Sequence, residues 1–430
     1  MTRDDARRTI DQAIKLSEAE NAEAMLHGSI EESTRFANNV ITQNMSKSNA
    51  KLAVRSAYGN KVGLASTNDF SEDGIRRVVR RSEEVAKASA PDTEYMPPLD
   101  PQEYDTIEGY DPAAGAATPG DRAKPINAAA ALCEKAGVKS AGSYLTEGGY
   151  FAVGNSKGLF GYDQTSTVRF ASTVMTDNSS GWYEQISHRL DGVDPMRVSE
   201  VALQRAKAAH DPIDIEPGDY TVIMEPAAIA EFLAFAGWSM DAKAAHEGHS
   251  AFTHKEGTKI AADSVTIYSD PSVPDCPGSP FLYDGMKTPA VAWIENGVLK
   301  NLIYSRFWAK KSGRETTGFP TNFLMKGGDT TLEAMIASTD RGLLITRFWY
   351  IRFVDPMTLL LTGMTRDGFF LIEDGKITKG VKHMRFNESP LAALASVEAI
   401  GQPQRTGEYV PSSMPAIKVR DFTFSSKTTF

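Results

Sequence analysis

Two α+β domains built largely from antiparallel strands are what this sequence predicts, on three observations. A chain of 430 residues exceeds what one hydrophobic core usually organises. Short apolar runs alternate with turn pairs such as Asn38-Asn39, Gly59-Asn60, Asn296-Gly297 and Asp374-Gly375, a pattern of hairpins rather than βαβ crossovers. A break from His210-Asp211-Pro212 to Pro217-Gly218 then separates a mixed N-terminal domain, 1–211, from a C-terminal one, 212–430. The second is expected to be mainly antiparallel β, barrel- or sandwich-like, with a few helices.

Ala6, Ile10, Ala13, Ile14 and Leu16 recur at helical spacing, so Thr2 to Glu20 is read as an opening amphipathic helix. Short strands follow at Ala22 to Gly28, Ser33 to Ala37, Val40 to Ser46, Lys51 to Tyr58 and Lys61 to Ser66, an antiparallel meander. Ser71 is a suitable N-cap for a helix to Ala88, with Glu72 and Asp73 opposing the positive end of its dipole. Ser89 to Pro119 holds six prolines, which block helix and central-strand positions, and is expected as a surface connection within the first domain. A helix over Ala123 to Ala136 leads into strands at Lys139 to Thr146, Tyr150 to Asn155, Thr165 to Thr176 and Gly181 to Ser187, then a helix over Pro195 to Ala208.

The second domain opens with a strand, Tyr220 to Met224, and a mostly apolar helix, Ala227 to Lys243. Two hairpins, Ile294 to Lys300 and Ile372 to Thr378, carry the Asn-Gly and Asp-Gly pairs whose positive φ a type I′ turn demands. Gly148-Gly149 and Gly327-Gly328 lack the strand-to-helix context of a phosphate loop and are read as turns. No Gly-x-Ser-x-Gly elbow is present. Phe348-Trp349-Tyr350 is expected to pack in a core or interface, with a peptide groove as the alternative.

Apolar residues make up 41% and charged residues 23%, ordinary for a globular protein. A net charge of -9 supplies no broad cationic field for a phosphate backbone, so no direct nucleic-acid ligand is expected. There is no apolar run of about 18 residues, and Met1 to Arg8 leads into a charged helix, so no membrane span is expected and the protein is placed in the cytoplasm. The two cysteines, Cys133 and Cys276, form no Cys-x-x-Cys pair and are read as buried thiols.

The stretch with the most chemistry is His246-Glu247-Gly248-His249, followed by His254: three of the seven histidines within nine residues. Zinc hydrolases place two histidines on one helical face with a glutamate that takes a proton from metal-bound water. His246 and His249 are three apart, which still shares a face, with Glu247 turned off it. A third ligand would come from His254, Asp270 or Cys276. The competing reading is a polar loop whose histidines satisfy carbonyls or face solvent.

Several stretches together resemble the TldD/PmbA family, bacterial and archaeal proteins linked to microcin maturation and once described as modulators of DNA gyrase. They include Leu52-Ala53-Val54-Arg55, Gly154-Asn155-Ser156-Lys157-Gly158-Leu159, Pro217-Gly218-Asp219-Tyr220-Thr221-Val222, Gly257-Thr258-Lys259-Ile260-Ala261, Glu295-Asn296-Gly297-Val298-Leu299-Lys300, Thr316-Thr317-Gly318 and Ile372-Glu373-Asp374-Gly375. The resemblance implies a two-domain α+β protein in a family whose TldD-type members are metalloproteases acting on unfolded peptides. Those members bind metal with His-Glu-x-x-x-His and a cysteine near the C-terminus, and assemble with a PmbA-type (TldE-type) partner that lacks these ligands.

Only His246 and Glu247 match the opening of that pattern, and Tyr409 to Pro415, where the cysteine is expected, contains none. Each residue of displacement turns a ligand about 100° around a helix, too far for an unchanged coordination sphere. The reading favoured is therefore a PmbA/TldE-like subunit without a catalytic zinc, paired with a TldD-type catalytic subunit or with itself, that helps process unfolded peptides. One alternative is an active zinc metallopeptidase with His246 and His249 as ligands, His254 as a third and Glu247 as the catalytic base. The other is a homo-oligomeric peptide-binding module.

Overall fold

A computed structural model describes residues 1–407 and 410–428. The first half is a six-stranded antiparallel sheet with helices packed on it. Its elements are α1 (Arg3–Leu16), β1 (Asn21–Ala37), β2 (Val40–Tyr58), β3 (Lys61–Thr67), α2 (Glu72–Ala88), α3 (Pro112–Gly115), α4 (Pro119–Lys135), β4 (Lys139–Asn155), β5 (Phe160–Met175), β6 (Ser180–Ser187) and α5 (Pro195–Ala208). The strand order is β3-β2-β1-β4-β5-β6, with β1 and β4 antiparallel at the centre.

This order is that of one unit used twice, a helix, a three-stranded meander and a second helix. Thr2 with Asp5 and Thr118 with Asp121 form matching capping boxes at the first helix of each unit. At the sheet edges, Gly63 and Gly181 let the closing helix approach the strand backbone. A Cβ at either position would lie 2.3 Å from a helix amide, that of Ala86 or of Ala206.

The strands are longer than the sequence pattern indicates. The breaks expected after Gly28, after Ser46 and at Gly148-Gly149 do not occur, because β1 is paired along its length on both sides. Ser29, for example, faces Asn49 on β2 and Gly149 on β4. Two ladders hold an extended backbone through residues whose local preference is to turn. Gly28 is where the Tyr150 ring lies across the neighbouring strand, 2.4 Å from where a Cβ would be.

The second half contains β7 (Gly218–Met224), α6 (Pro226–Trp238), α7 (Ala242–His246), β8 (Ile267–Ser269), β9 (Val291–Glu295), β10 (Val298–Leu299), α8 (Arg306–Ser312), β11 (Phe323–Met325) and α9 (Leu332–Ala337). It continues with β12 (Arg341–Ile345), β13 (Phe348–Asp355), β14 (Leu360–Thr365), β15 (Phe369–Glu373), β16 (Lys376–Gly380), β17 (Met384–Glu388), α10 (Pro390–Ala395), β18 (Val397–Thr406) and β19 (Ser412–Lys427). The main path runs β10-β9-β8-β11-β19-β7-β12-β15-β16, and β17, β14 and β13 branch from β19. Most pairs are antiparallel, β11–β19 and β7–β12 are parallel, and among the described residues the sheet stays open rather than closing into a barrel. The fold is thus α+β as expected. The Asn296-Gly297 and Asp374-Gly375 turns have positive φ at both positions and close hairpins at opposite ends of the path.

The core of this half centres on α6. Phe232 stands 5.8 Å from the rings of both Phe348 and Phe386 and 5.9 Å from Phe422. Burial around most of its circumference is why α6 is apolar apart from Glu231, with little of the alternation of a surface helix.

Among the contacts that join the halves, three sets bear on the arrangement of α6 and its surroundings. Arg205, in the last turn of α5, donates to the Trp182 carbonyl at 2.8 Å and to both oxygens of Glu225, the N-cap residue of α6, at 2.6 and 2.5 Å. Ser180 Oγ donates to Asp367 at 2.7 Å, and the Trp182 N–H to the Asp367 carbonyl at 3.2 Å. The proline-rich segment is the third. Rather than a connection within the first domain, it straps the two together: Glu94 pairs with Lys243 at 2.6 Å, the Pro97 carbonyl accepts from Arg306 at 2.7 Å, and Tyr104 Oη donates to the Gly285 carbonyl at 2.6 Å. Among the described residues no helix is long and apolar enough to cross a membrane.

Truncating Arg205 strands the buried Glu225 carboxylate, so Arg205→Ala is expected to cost about 3–5 kcal/mol of unfolding free energy, and Arg205→Met with Glu225→Leu to recover most of it, in chemical denaturation. Asp163 on β5 accepts from Ser279 Oγ across the same interface at 3.2 Å, and burial pushes its pKa from the ordinary 3.8 up to about 6. The folded state therefore holds that proton longer than the unfolded chain, and this group's contribution to stability is lost as pH rises through that window. Between pH 4 and pH 7 the native protein should lose roughly 2–3 kcal/mol more than Asp163→Asn, read from denaturation midpoints.

Candidate functional site

Arg205 ties the start of α6 to α5, and α6 forms one wall of a cleft between the halves. Ala227, Ala230, Glu231, Ala234, Gly237 and Trp238 fall on one stripe of the helix and line a cavity of about 440 Å³. Small side chains along this stripe leave the room. The opposite walls come from both halves: Arg169, Trp182 and Glu184 of the first sheet, Phe319, Pro320 and Phe323, residues 348–352 of β13, and Thr406, Gly407, Val410 and Ser412 between the end of β18 and the start of β19. The described residues of the last segment are Thr406, Gly407, Val410, Pro411 and Ser412.

Aromatic rings and guanidinium groups alternate around this space. Arg347 lies 4.4 Å from the Trp182 ring centre and 5.4 Å from that of Trp349, and Arg352 lies 4.2 Å from that of Tyr350. Arg169 pairs with Glu184 at 2.8 Å. Phe348 is buried in the core, whereas Trp349 and Tyr350 are 44% and 61% exposed, so the aromatic run divides between packing and the cleft. Trp238 and Phe319 are exposed beside them.

β13 meets the cavity edge-on. Five consecutive residues line it, whereas a strand seen face-on contributes every second side chain. Among the described residues β13 pairs only with β14, and its ladder is interrupted between Trp349 and Arg352, where Tyr350 has φ 58°.

The histidine stretch does not line this cavity. The single helix expected over Ala227 to Lys243 is two, because α6 ends at Trp238 and Asp241 caps the five-residue α7, its side chain accepting from the Ala244 N–H. α7 ends at His246, Glu247 is its C-cap, and Gly248 has φ 80°, so His246 and His249 share no helical face. His246, Glu247, His249 and His254 are all exposed.

Zinc does not fit the residues gathered here. Tyr304 Oη gives its hydrogen to Glu256 at 2.9 Å, so His246 Nε2 donates to Tyr304 at 3.2 Å, and Nδ1 is left facing Ser312 Oγ at 3.4 Å. Both ring nitrogens of His246 are thus engaged. Cys276 is fully buried, and burial pushes its thiol pKa up to about 11, away from a ligand thiolate. Asp270 accepts from the N–H and hydroxyl of Ser272. Among the described residues no three His, Cys, Asp or Glu side chains stand together as a metal-binding group, and those lining the cleft include no histidine or cysteine.

Models of the PmbA/TldA metallopeptidase match the chain in three parts: domain 1 at 22–86, the central domain at 101–209 and the C-terminal domain at 217–426. The chain belongs to the PmbA/TldD family. The crystal structure of TldE from Thermococcus kodakarensis has the same fold, with a TM-score of 0.88 over 98% of this chain and 99% of that one at 18% identity. A metalloprotease of Methanothermobacter thermautotrophicus is 25% identical over 283 residues, 59% of this chain and 60% of that protein's length. A metalloprotease PmbA homolog of Haemophilus influenzae is 23% identical over 312 residues, 69% of each.

Glu231, with Ala230 before it and Phe235 one turn later, lines the cleft from α6. The signal was present in the sequence as the one carboxylate in an otherwise apolar helix, but a search led by histidines passes over it. The C-terminal segment expected to carry the cysteine reaches the same cleft through Val410 and Ser412. Tyr409, part of that expectation, lies outside the described residues.

Proposed function

We propose that this chain is a PmbA/TldE-like subunit of a two-component metallopeptidase, holding unfolded peptide without a catalytic zinc of its own. One observation carries the reading: in the cleft where α6 and the C-terminal segment meet, the described lining residues keep Glu231 but include no histidine or cysteine. A carboxylate alone does not hold zinc or generate a nucleophilic water. What remains is suited to binding. The edge of β13 left unpaired among the described residues offers main-chain donors and acceptors to an extended strand, and the aromatic walls offer pockets for its side chains. Hydrolysis then falls to a TldD-type partner that supplies the ligand set.

Zinc-loaded and desalted, the chain alone should retain less than about 0.1 equivalent of metal. The value should be the same in His246→Ala and His249→Ala. An unstructured peptide should stay intact until a TldD-type subunit is added, with which the chain should co-elute in size-exclusion chromatography. Stoichiometric zinc with chelator-sensitive cleavage by the chain alone would sink the proposal, and zinc lost in His246→Ala would return the reaction to the histidine stretch.

A further inference from the structure

The cleft carries a charge pattern that goes beyond holding any unfolded chain. Arg347 Nε is buried and has no hydrogen-bond partner among the described residues, and its NH1 reaches Asp367 only at 3.8 Å. Arg352 donates to the Ile351 carbonyl at 2.7 Å and has no ion-pair partner among the described residues. Both line the cavity of a protein whose net charge is -9. A buried N–H left unpaired is costly, and a guanidinium fork matches a carboxylate better than any neutral acceptor. Trp182 and Trp349 flank Arg347, which keeps it in place and lowers the local dielectric. The rings of Trp349 and Trp238 beside it are 44% and 42% exposed and offer apolar surface to a large side chain.

We infer that this cleft selects peptide segments in which a carboxylate stands next to a large apolar side chain, with Arg347 and Arg352 receiving the carboxylate. The inference rests on the peptide-holding reading above. The carboxylate would come from an Asp or Glu side chain or from a peptide C-terminus, since both present the same two oxygens.

The test uses the full chain and three fluorescein-labelled Gly-Ser peptides followed by anisotropy. One is amidated and carries a central Phe-Glu-Phe; the second is its Phe-Gln-Phe counterpart, and the third is that counterpart with a free C-terminal carboxylate after the second Phe. The Glu peptide is expected to bind about tenfold more tightly than the amidated Gln peptide, and the difference to fall below about twofold in Arg347→Gln and in Arg352→Gln. Tight binding of the third peptide, lost in the same variants, supports the inference with the terminus as the source. Equal binding of the Glu and amidated Gln peptides overturns the inference and leaves the peptide-holding reading standing. No binding by any peptide overturns both. Thermal unfolding of each variant separates a lost contact from a lost fold. Because Arg347 also packs on Trp182, Arg347→Lys, which keeps the cation, is expected to retain part of the preference, whereas a preference that survives in a folded Arg352→Gln counts against the inference.

Discussion

The pair formed by Arg205 and Glu225 is the constraint on which the arrangement of this protein depends. It is buried, it crosses from the first half to the second, and its acidic member is the N-cap of the helix that lines the cleft. Because Arg205 also holds the Trp182 carbonyl, one guanidinium ties the edge of the first sheet to the start of α6. A buried ion pair of this kind specifies geometry more than it adds stability, since desolvation offsets most of its Coulombic gain. Its direction matters too: a carboxylate at a helix N-terminus and a cation in the last turn of α5 each oppose the local dipole.

With α6 fixed, the cleft is a consequence of packing. The helix buries Phe232 and Leu233 against the second sheet, and that leaves its small residues facing the first. The first half supplies a wall because its edge strand β6 is drawn close to α5 at Gly181 and so reaches Arg347 with Trp182. The proline strap adds a second tether on the far side of α6, where Glu94 meets Lys243 of α7. The histidine stretch follows α7 on that side, which is why its side chains meet Tyr304 and Ser312 rather than the cavity.

Much of the first half was legible in local signals. The helix capped at Ser71, the helix from Pro195 to Ala208, the Asn38-Asn39 turn and the antiparallel meander follow from capping chemistry, helical spacing and period-two patterning. Strand lengths were not, because Gly148-Gly149 reads as a turn until both of its neighbours are known. The site was less legible. His246 and His249 draw attention by residue type, yet a glycine in the left-handed region and a Tyr304 hydrogen bond decide what they can do. Glu231 is inconspicuous in sequence, and its place in the cleft depends on which face of an apolar helix is turned inward.

What the sequence by itself determined is the α+β class, the order of most helices and hairpins, the family resemblance and the absence of a complete ligand pattern. Each is a property of neighbouring residues or of residue type at a spacing. The tertiary structure alone decided that α6, β13, Trp182 and the segment after Thr406 bound one cavity, and that the histidines lie outside it. Those relations join residues as far apart in sequence as Trp182 and Ser412, and they are settled by which buried charges find partners and which helix face finds the core.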